Sequence, residues 1–533
     1  MSRDSVLTRT EIKDRISKGE VLVIYNSLVL RLDKWIKYHP GGDKVIYHLV
    51  GKDATTEMNI LHGDDTIDTF AKWRIGRIDY RWENLLPPIQ AGKTQDSKNT
   101  KLDIDEDDEE SEATLYSSSS SQSCDSTLNS QATLYDTVIA DPMLPSERFD
   151  AKLIEDEEAE LPSFDPDTQA YILEEYEKTR KLLLEAGLFN CRYYKYLKEA
   201  ARIGTLLFLV YYTLYHKNMQ LLSAFLLGCA WQQAVFIAHD AGHISITHHY
   251  QVDSVIGIII ASFIGGLSLG WWKRSHNVHH LVTNDPEHDP DIQQLPFFAS
   301  SVRFFKNLYS TYYERYVTFD ILAKKLVPLQ HYYYYPILAF GRFNLYVLSW
   351  THLLSFLGPC NGSAAWFRYL EIAGMLFFNY WFVYLILICG LNTFWERVQY
   401  VLVSHCVTVI LHVQILLSHF AMSSATVSPK ESFPLRQVRS SMDVHCPPWL
   451  DFFHGGLQFQ IVHHLFPRLP RHNLREAQPH VIELCKKVGI KYTIYGFYSG
   501  NKKVVSHLRD IAQQAKIMLD CANTLQKEGL YEH

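Results

Sequence analysis

Apolar residues are distributed unevenly along the chain. Before position 203 they come in short alternations, and after it in long runs. Residues 6–86 carry the pattern of a small mixed domain. Thr8 or Thr10 is placed to cap a helix that runs to Lys18 and stops at Gly19. Val21–Tyr25 and Val29–Leu32 read as strands joined through Asn26-Ser27, and Asp43–Val50 is helix-like. From 87 to 166 the apolar pattern is lost. The block LDIDEDDEESE cannot bury enough surface to offset chain entropy, so a disordered acidic linker is expected there. Asp167 or Thr168 then opens an amphipathic helix that ends at Gly187 and is expected to lie on a membrane surface. The aromatic and basic stretch from Cys191 to Arg202 suits an interfacial anchor.

Six apolar runs follow: Ile203–Tyr215, Leu221–Ala238, Val255–Trp272, Tyr332–Leu357, Tyr369–Leu391 and Val398–Leu417. They predict about four spanning helices and up to two interfacial ones. Val255–Trp272, rich in Gly and Ser, is expected to be re-entrant. Lys273, Arg274, Arg303, Lys306, Lys324 and Lys325 mark the following region as cytosolic.

Charge sharpens this division. Residues 96–160 hold 19 Asp and Glu against 4 Lys and Arg, a balance of −15 within a total of −7. The remainder is therefore +8, which suits anionic headgroups rather than a nucleic-acid partner. Nine cysteines without a CxxC pair point to a reducing compartment. The start, MSRDSVLTRTEI, lacks an apolar h-region, so no cleaved signal peptide and a cytosolic N-terminus are expected.

Three short polar runs lie beside the apolar ones: HDAGH at His239–His243, HNVHH at His276–His280 and QIVHH at Gln460–His464. On helices, residues three and four apart share a face. His239 and His243 therefore point one way, as do His276, His279 and His280, and Gln460, His463 and His464. A single run could merely face headgroups, but three with matched spacing predict a metal site, and imidazole suits iron. Intramembrane ionisable groups are expensive, so all three runs should emerge on one side. LHVQILLSHF adds His412 and His419, seven apart, with His405 a further seven back. His412 and His405 are expected to be structural. His248, His249, His288, His445, His454 and His472 read as interfacial.

In the first domain His39 opens a Pro-Gly-Gly loop, and His62 follows 23 residues later. A histidine on a rigid turn, facing another across an apolar cleft, is what bis-imidazole haem ligation needs. HPGG at His39–Gly42, GKDAT at Gly51–Thr55 and the later histidine resemble cytochrome b5 over roughly residues 6–80. The resemblance implies haem b held by His39 and His62, the family spacing favouring His62 over His48.

HxxxH, HxxHH and QxxHH, in this order, resemble the membrane fatty-acyl desaturase and hydroxylase superfamily. The fused cytochrome b5 domain and the Gln that opens the third run look like a front-end desaturase. Trp272–His280, Ser418–Ser423 and Phe459–Leu474 look most like the fungal delta-8 sphingolipid desaturases, as does Val462 where many acyl desaturases have Glu. The resemblance implies an α+β cytochrome b5-like domain (6–86), the disordered acidic linker (87–166), an all-α multi-pass membrane domain with a cytosolic di-iron cap (167–500) and a helical tail (501–533). It implies two iron ions held by His239, His243, His276, His279, His280, His463 and His464, with Gln460 in place of a first histidine and His419 as a further ligand. The implied activity is oxygen-dependent desaturation of the ceramide long-chain base, mostly trans, in the endoplasmic reticulum membrane. Electrons would come from NADH-cytochrome b5 reductase through the fused haem. The rival readings are an acyl-lipid desaturase, a lipid hydroxylase, and a haem-bearing receptor or adaptor, which would need no histidine runs.

Overall fold

The structure is a computed structural model that describes residues 3–85 and 144–527. Most of the stretch read as a linker lies outside them. In the N-terminal unit the Thr8 hydroxyl accepts from Glu11 N, and the Glu11 carboxylate accepts from Thr8 N. This capping box starts the helix Arg9–Ser17. Strands β1 (Leu22–Tyr25) and β2 (Leu28–Arg31) pair antiparallel. Asn26 and Ser27 between them both have positive φ, 46° and 62°, the twist that a two-residue hairpin requires. A third strand, β3 (Arg74–Arg77), pairs with β2 and gives the order β1-β2-β3. Alternation did not reveal it because RIGR holds a single large apolar side chain. A Cβ at Gly76 would lie 2.8 Å from Leu7, so the strand is defined by close approach rather than by hydrophobicity.

The second unit is helical. Gln220–Gly242, Gly362–Cys389 and Phe394–Leu417 are long and apolar enough to cross a membrane. Tyr250–Ile264 and Leu269–Val282 form a pair bent by 117°, either a broken span or a re-entrant segment, at the place where Gly and Ser interrupt the apolar run. Leu376, Phe377, Tyr380, Tyr384 and Ile388 remain exposed along Gly362–Cys389, as a lipid-facing surface requires. The helix Tyr193–Tyr215 carries a charged first half with Tyr193, Tyr194 and Leu197 exposed, in keeping with an interfacial anchor.

Two expectations are corrected. The amphipathic helix, Pro166–Glu185, buries Ile172, Tyr176 and Leu183 in one core with Val481, Leu484 and Phe466, so protein rather than lipid covers its apolar face. Inside the stretch read as disordered, Pro145–Glu158 is a helix. Three of its acids are paired: Asp150 binds Arg303 at 2.9 Å, Glu147 binds Lys306, and Glu157 accepts from Ser423 Oγ at 2.7 Å, while Glu155, Asp156 and Glu158 are exposed. The final helix, Phe497–Lys527, starts before the expected boundary at 500. It packs Val504, Leu508, Ile511 and Ala515 against Tyr334, Leu338 and Leu417.

The two units share a core, in which Val278, Leu281, Val282 and Tyr312 join the side chains of the N-terminal sheet. His48 lies buried at this junction, its Nε2 3.1 Å from Thr311 Oγ1 and its ring 6.1 Å from that of His288. Burial, and then the neighbouring His288, pushes the His48 imidazole down from 6.5 to about 3. Between those values the unfolded state takes a proton that the folded state refuses. The stability from this group is therefore full above about pH 6.5 and falls on acidification by up to about 1.4 kcal/mol per pH unit. His48→Asn should lessen the fall in thermal unfolding midpoint between pH 7 and pH 5, as calorimetry of the two proteins would show.

Candidate metal centre

Each histidine run is delivered by a different element. His239 lies in the last turn of Gln220–Gly242, and His243 caps that helix. His276, His279 and His280 lie on Leu269–Val282, whose first turn is capped by Ser268 Oγ accepting from Trp271 N at 3.0 Å. The bend before this helix passes through Gly266, at φ 69°, where a Cβ would fall 2.5 Å from the Phe378 ring. Gln460, His463 and His464 occupy the short helix Gln460–Leu465. Gly455 and Gly456 precede it at φ 62° and 96°, and a Cβ on Gly455 would overlap the Phe236 ring at 2.2 Å. Only glycine lets the third run come so close to the helix that carries the first.

The runs converge. One group joins His239, His243, His276 and His463, and a second joins His279, His419 and His464, with the candidate ligand atoms of each group within 4.8 Å of one another. His280 sits between them, its ring 4.8 Å from His243, 4.9 Å from His463 and 4.3 Å from His464. Gln460 is buried at the start of the third run. His243 Nε2, His280 Nδ1, His463 Nε2 and His464 Nε2 are buried without a hydrogen-bond partner. Orphaned imidazole nitrogens are rare and costly unless an ion takes their lone pairs, so the set fits two metal ions. Burial and the surrounding histidines hold His463 and His464 well below the usual imidazole range, and burial beside His279 pushes His419 down to about 3. All three are neutral near pH 7, as ligation demands.

The far side of three rings, those of His279, His464 and His419, is fixed by groups that the spacing of the runs did not disclose. Asp289, fully buried, accepts from His279 Nδ1 at 2.8 Å and from Asn284 N at 2.7 Å. Asp291 completes a third metal-capable group with His279 and Asp289. Gln437 Oε1 takes His464 Nδ1 at 2.9 Å, while its Nε2 donates to His280 O at 2.9 Å. Ser440 O accepts from His419 Nδ1 at 3.1 Å. Beside His239, Asp240 is held by Arg471 at 2.5 Å and by Tyr196. The acid-rich DPEHDPD that follows the second run was the available sequence signal for Asp289 and Asp291. Gln437 had none, because it reaches the site from another helix.

In the N-terminal unit His39 and His62 face each other with ring centres 6.1 Å apart. Each donates Nδ1–H to a backbone carbonyl, Gly42 O at 2.7 Å and Met58 O at 2.9 Å, which leaves Nε2 as the free ligand atom. Burial lowers His39, and burial with His39 nearby brings His62 to about 4. His48, turned toward Thr311, takes no part in this pair. The pair fits axial haem ligation.

The remaining histidines divide. His412 donates to Leu338 O at 2.8 Å and His405 to Val401 O at 2.8 Å, both in structural roles as expected. His249 and His445 are exposed. His288 and His454 are buried rather than interfacial, bonded to Thr311 at 3.1 Å and to Gln414 at 2.8 Å. His248 and His472 are partly buried and bonded to Phe189 O and Glu199.

Two family models match: fatty acid desaturase over residues 218–496, and cytochrome b5-like heme/steroid binding domain over residues 8–79. The chain belongs to the fatty acid desaturase family. It is 55% identical to the Delta 8-(E)-sphingolipid desaturase of Lachancea kluyveri, covering 99% of this chain and 97% of that one. It is 56% identical to the protein of the same name from Kluyveromyces lactis, covering 99% and 96%. The acyl-lipid (9-3)-desaturase of Borago officinalis is 41% identical over 59% of this chain and 69% of its own. This desaturase is thus an oxidoreductase of the membrane, with a haem in its cytochrome b5 domain and a di-iron centre in its desaturase domain.

Asp289→Asn should weaken iron binding about 10- to 100-fold, as loss of a partner behind a metal-ligating histidine does. Iron retained per chain against a graded chelator, with haem absorbance as the internal control, measures this. His39→Ala and His62→Ala should each abolish the haem Soret band and leave iron content unchanged.

Proposed function

We propose that this desaturase introduces a trans double bond at position 8 of the long-chain base of ceramides. Similarity along nearly the whole chain to proteins named Delta 8-(E)-sphingolipid desaturase carries the reading, whereas the acyl-lipid relative aligns over little more than half. Val462 supports it locally. It is fully buried in an apolar core with Ile461 and Leu465, where the Glu of acyl-lipid enzymes would bury a charge.

In this reading His39 and His62 hold the haem. His239, His243, His276 and His463 hold one iron, and His279, His419 and His464 hold the other, with His280 and Gln460 completing the set. The iron pair supplies the oxygen chemistry. The balance per double bond is one O2, two substrate hydrogens, two electrons entering through the haem and two protons, giving two waters. The protein's own part is to keep most of these imidazoles neutral by burial, fix the orientation of His279, His464 and His419 through Asp289, Gln437 and Ser440, and keep the reacting chain in register. NADH-cytochrome b5 reductase is the electron source, and the endoplasmic reticulum membrane is the location. The haem domain and all three runs pack on one another and so share a side; the basic residues after the second run support the cytosolic one.

Expression in a host without long-chain-base unsaturation should yield a new double bond in the sphingoid base and none in the acyl chains, by mass spectrometry of hydrolysed sphingolipids. A double bond confined to acyl chains would overturn the reading. His276→Ala should reduce the product below detection while the haem spectrum is retained.

A further inference from the structure

Each haem-ligand loop rests on one of the histidine runs. On the His39 side, a Cβ at Gly41 would meet Asn277 Nδ2 at 3.1 Å, and Asn277 adjoins His276. Arg274, on the same helix, reaches Asp43 at 3.0 Å. On the His62 side, Arg468 Nη1 donates to the carbonyl oxygen of His62 itself at 2.5 Å, and a Cβ at Gly63 would meet Arg468 Nη2 at 3.1 Å. Arg468 lies four residues after His464, in a segment made rigid by Phe466 stacking on Tyr176 at 5.2 Å. Its other contact, 3.3 Å to His248 Nδ1, holds the guanidinium in place, since His248 Nε2 is itself committed to Phe189 O at 2.8 Å.

We propose that Arg468 is the positioning residue of the electron-entry contact: it locks the haem-ligand loop of His62 onto the third histidine run, with Arg274–Asp43 as the matching lock on the His39 side. A guanidinium is suited to the task, because its planar fork keeps two donors oriented while its charge persists in a poorly hydrated junction. In the docked state Asn277 and Arg468 lie against the two ligand loops, while His39 and His62 themselves keep partial exposure. Delivery of each electron to the iron centre uses this docked pose, and its collection from NADH, through the reductase, uses a face that docking leaves open or another pose. Arg468 favours the delivering one. The inference rests on haem ligation by His39 and His62, which the Soret band of the His39→Ala protein tests separately.

The test uses the full chain, loaded with haem and iron, in nanodiscs of total fungal lipid. The haem is reduced by the soluble fragment of NADH-cytochrome b5 reductase and then mixed with O2 in a stopped-flow instrument. Arg468→Gln should slow haem re-oxidation at least tenfold, with an unchanged Soret spectrum and reduction by the reductase as fast as in the parent or faster. Arg468→Lys, which keeps the charge but loses the fork, should fall between. Asp43→Arg and Arg274→Asp should each slow re-oxidation, and the double exchange should restore it. Unchanged re-oxidation in Arg468→Gln would overturn the proposal, as would a parallel loss of both rates or a failure of the double exchange to rescue.

Discussion

A cluster of imidazoles buried at contact distance is tolerable only while nearly all of them remain uncharged. Two protonated rings at such separations would repel strongly in an environment that screens poorly. The surrounding structure removes water from the rings, which disfavours the charged form. It also commits one nitrogen of three rings to a fixed acceptor, Asp289 for His279, Gln437 for His464 and Ser440 for His419. His279 is the exception to neutrality, because against its burial the carboxylates of Asp289 and Asp291 raise it to about 8. The remaining lone pairs can then point only inward. The three runs are best understood as the inner layer of a polar assembly whose outer layer decides which nitrogen is offered.

The same demand explains how the membrane half is built. Its first run closes the span Gln220–Gly242, its second follows the bend at Gly266, and its third is threaded in beside Phe236 through Gly455. These glycines are sites of close approach rather than of flexibility. Arg471 ties the segment after the third run to Asp240 in the first, so that neither can move without the other. Over this frame the cytochrome b5 domain is docked as part of a common core, and the acids of Pro145–Glu158 neutralise basic residues on the same side. The net acidity of the chain is spent in part on internal pairing.

The contact between the units gives the fusion a structural meaning. A tether raises local concentration, but a shared core with defined polar locks also favours one orientation. His39 and His62 thereby lie over the second and third runs rather than merely near them.

The sequence by itself determined the chemistry and most of the local structure. The Thr8–Glu11 box, the Asn26-Ser27 hairpin, the apolar runs and the histidine spacings are all set by near neighbours, and periodicity reports near neighbours faithfully. The run spacings named seven of the gathered histidines, and His419 came from the family resemblance, since spacing alone grouped it with His412 and His405. What only the tertiary structure decided were relations between distant segments: the strand Arg74–Arg77, the protein-covered face of Pro166–Glu185, the burial of His288 and His454, and the placing of Asp289, Gln437 and Arg468. None of these leaves a periodic trace, because each depends on what another part of the chain brings to the same place. An acid in DPEHDPD reads as solvated until the fold removes its water and sets an imidazole 2.8 Å away.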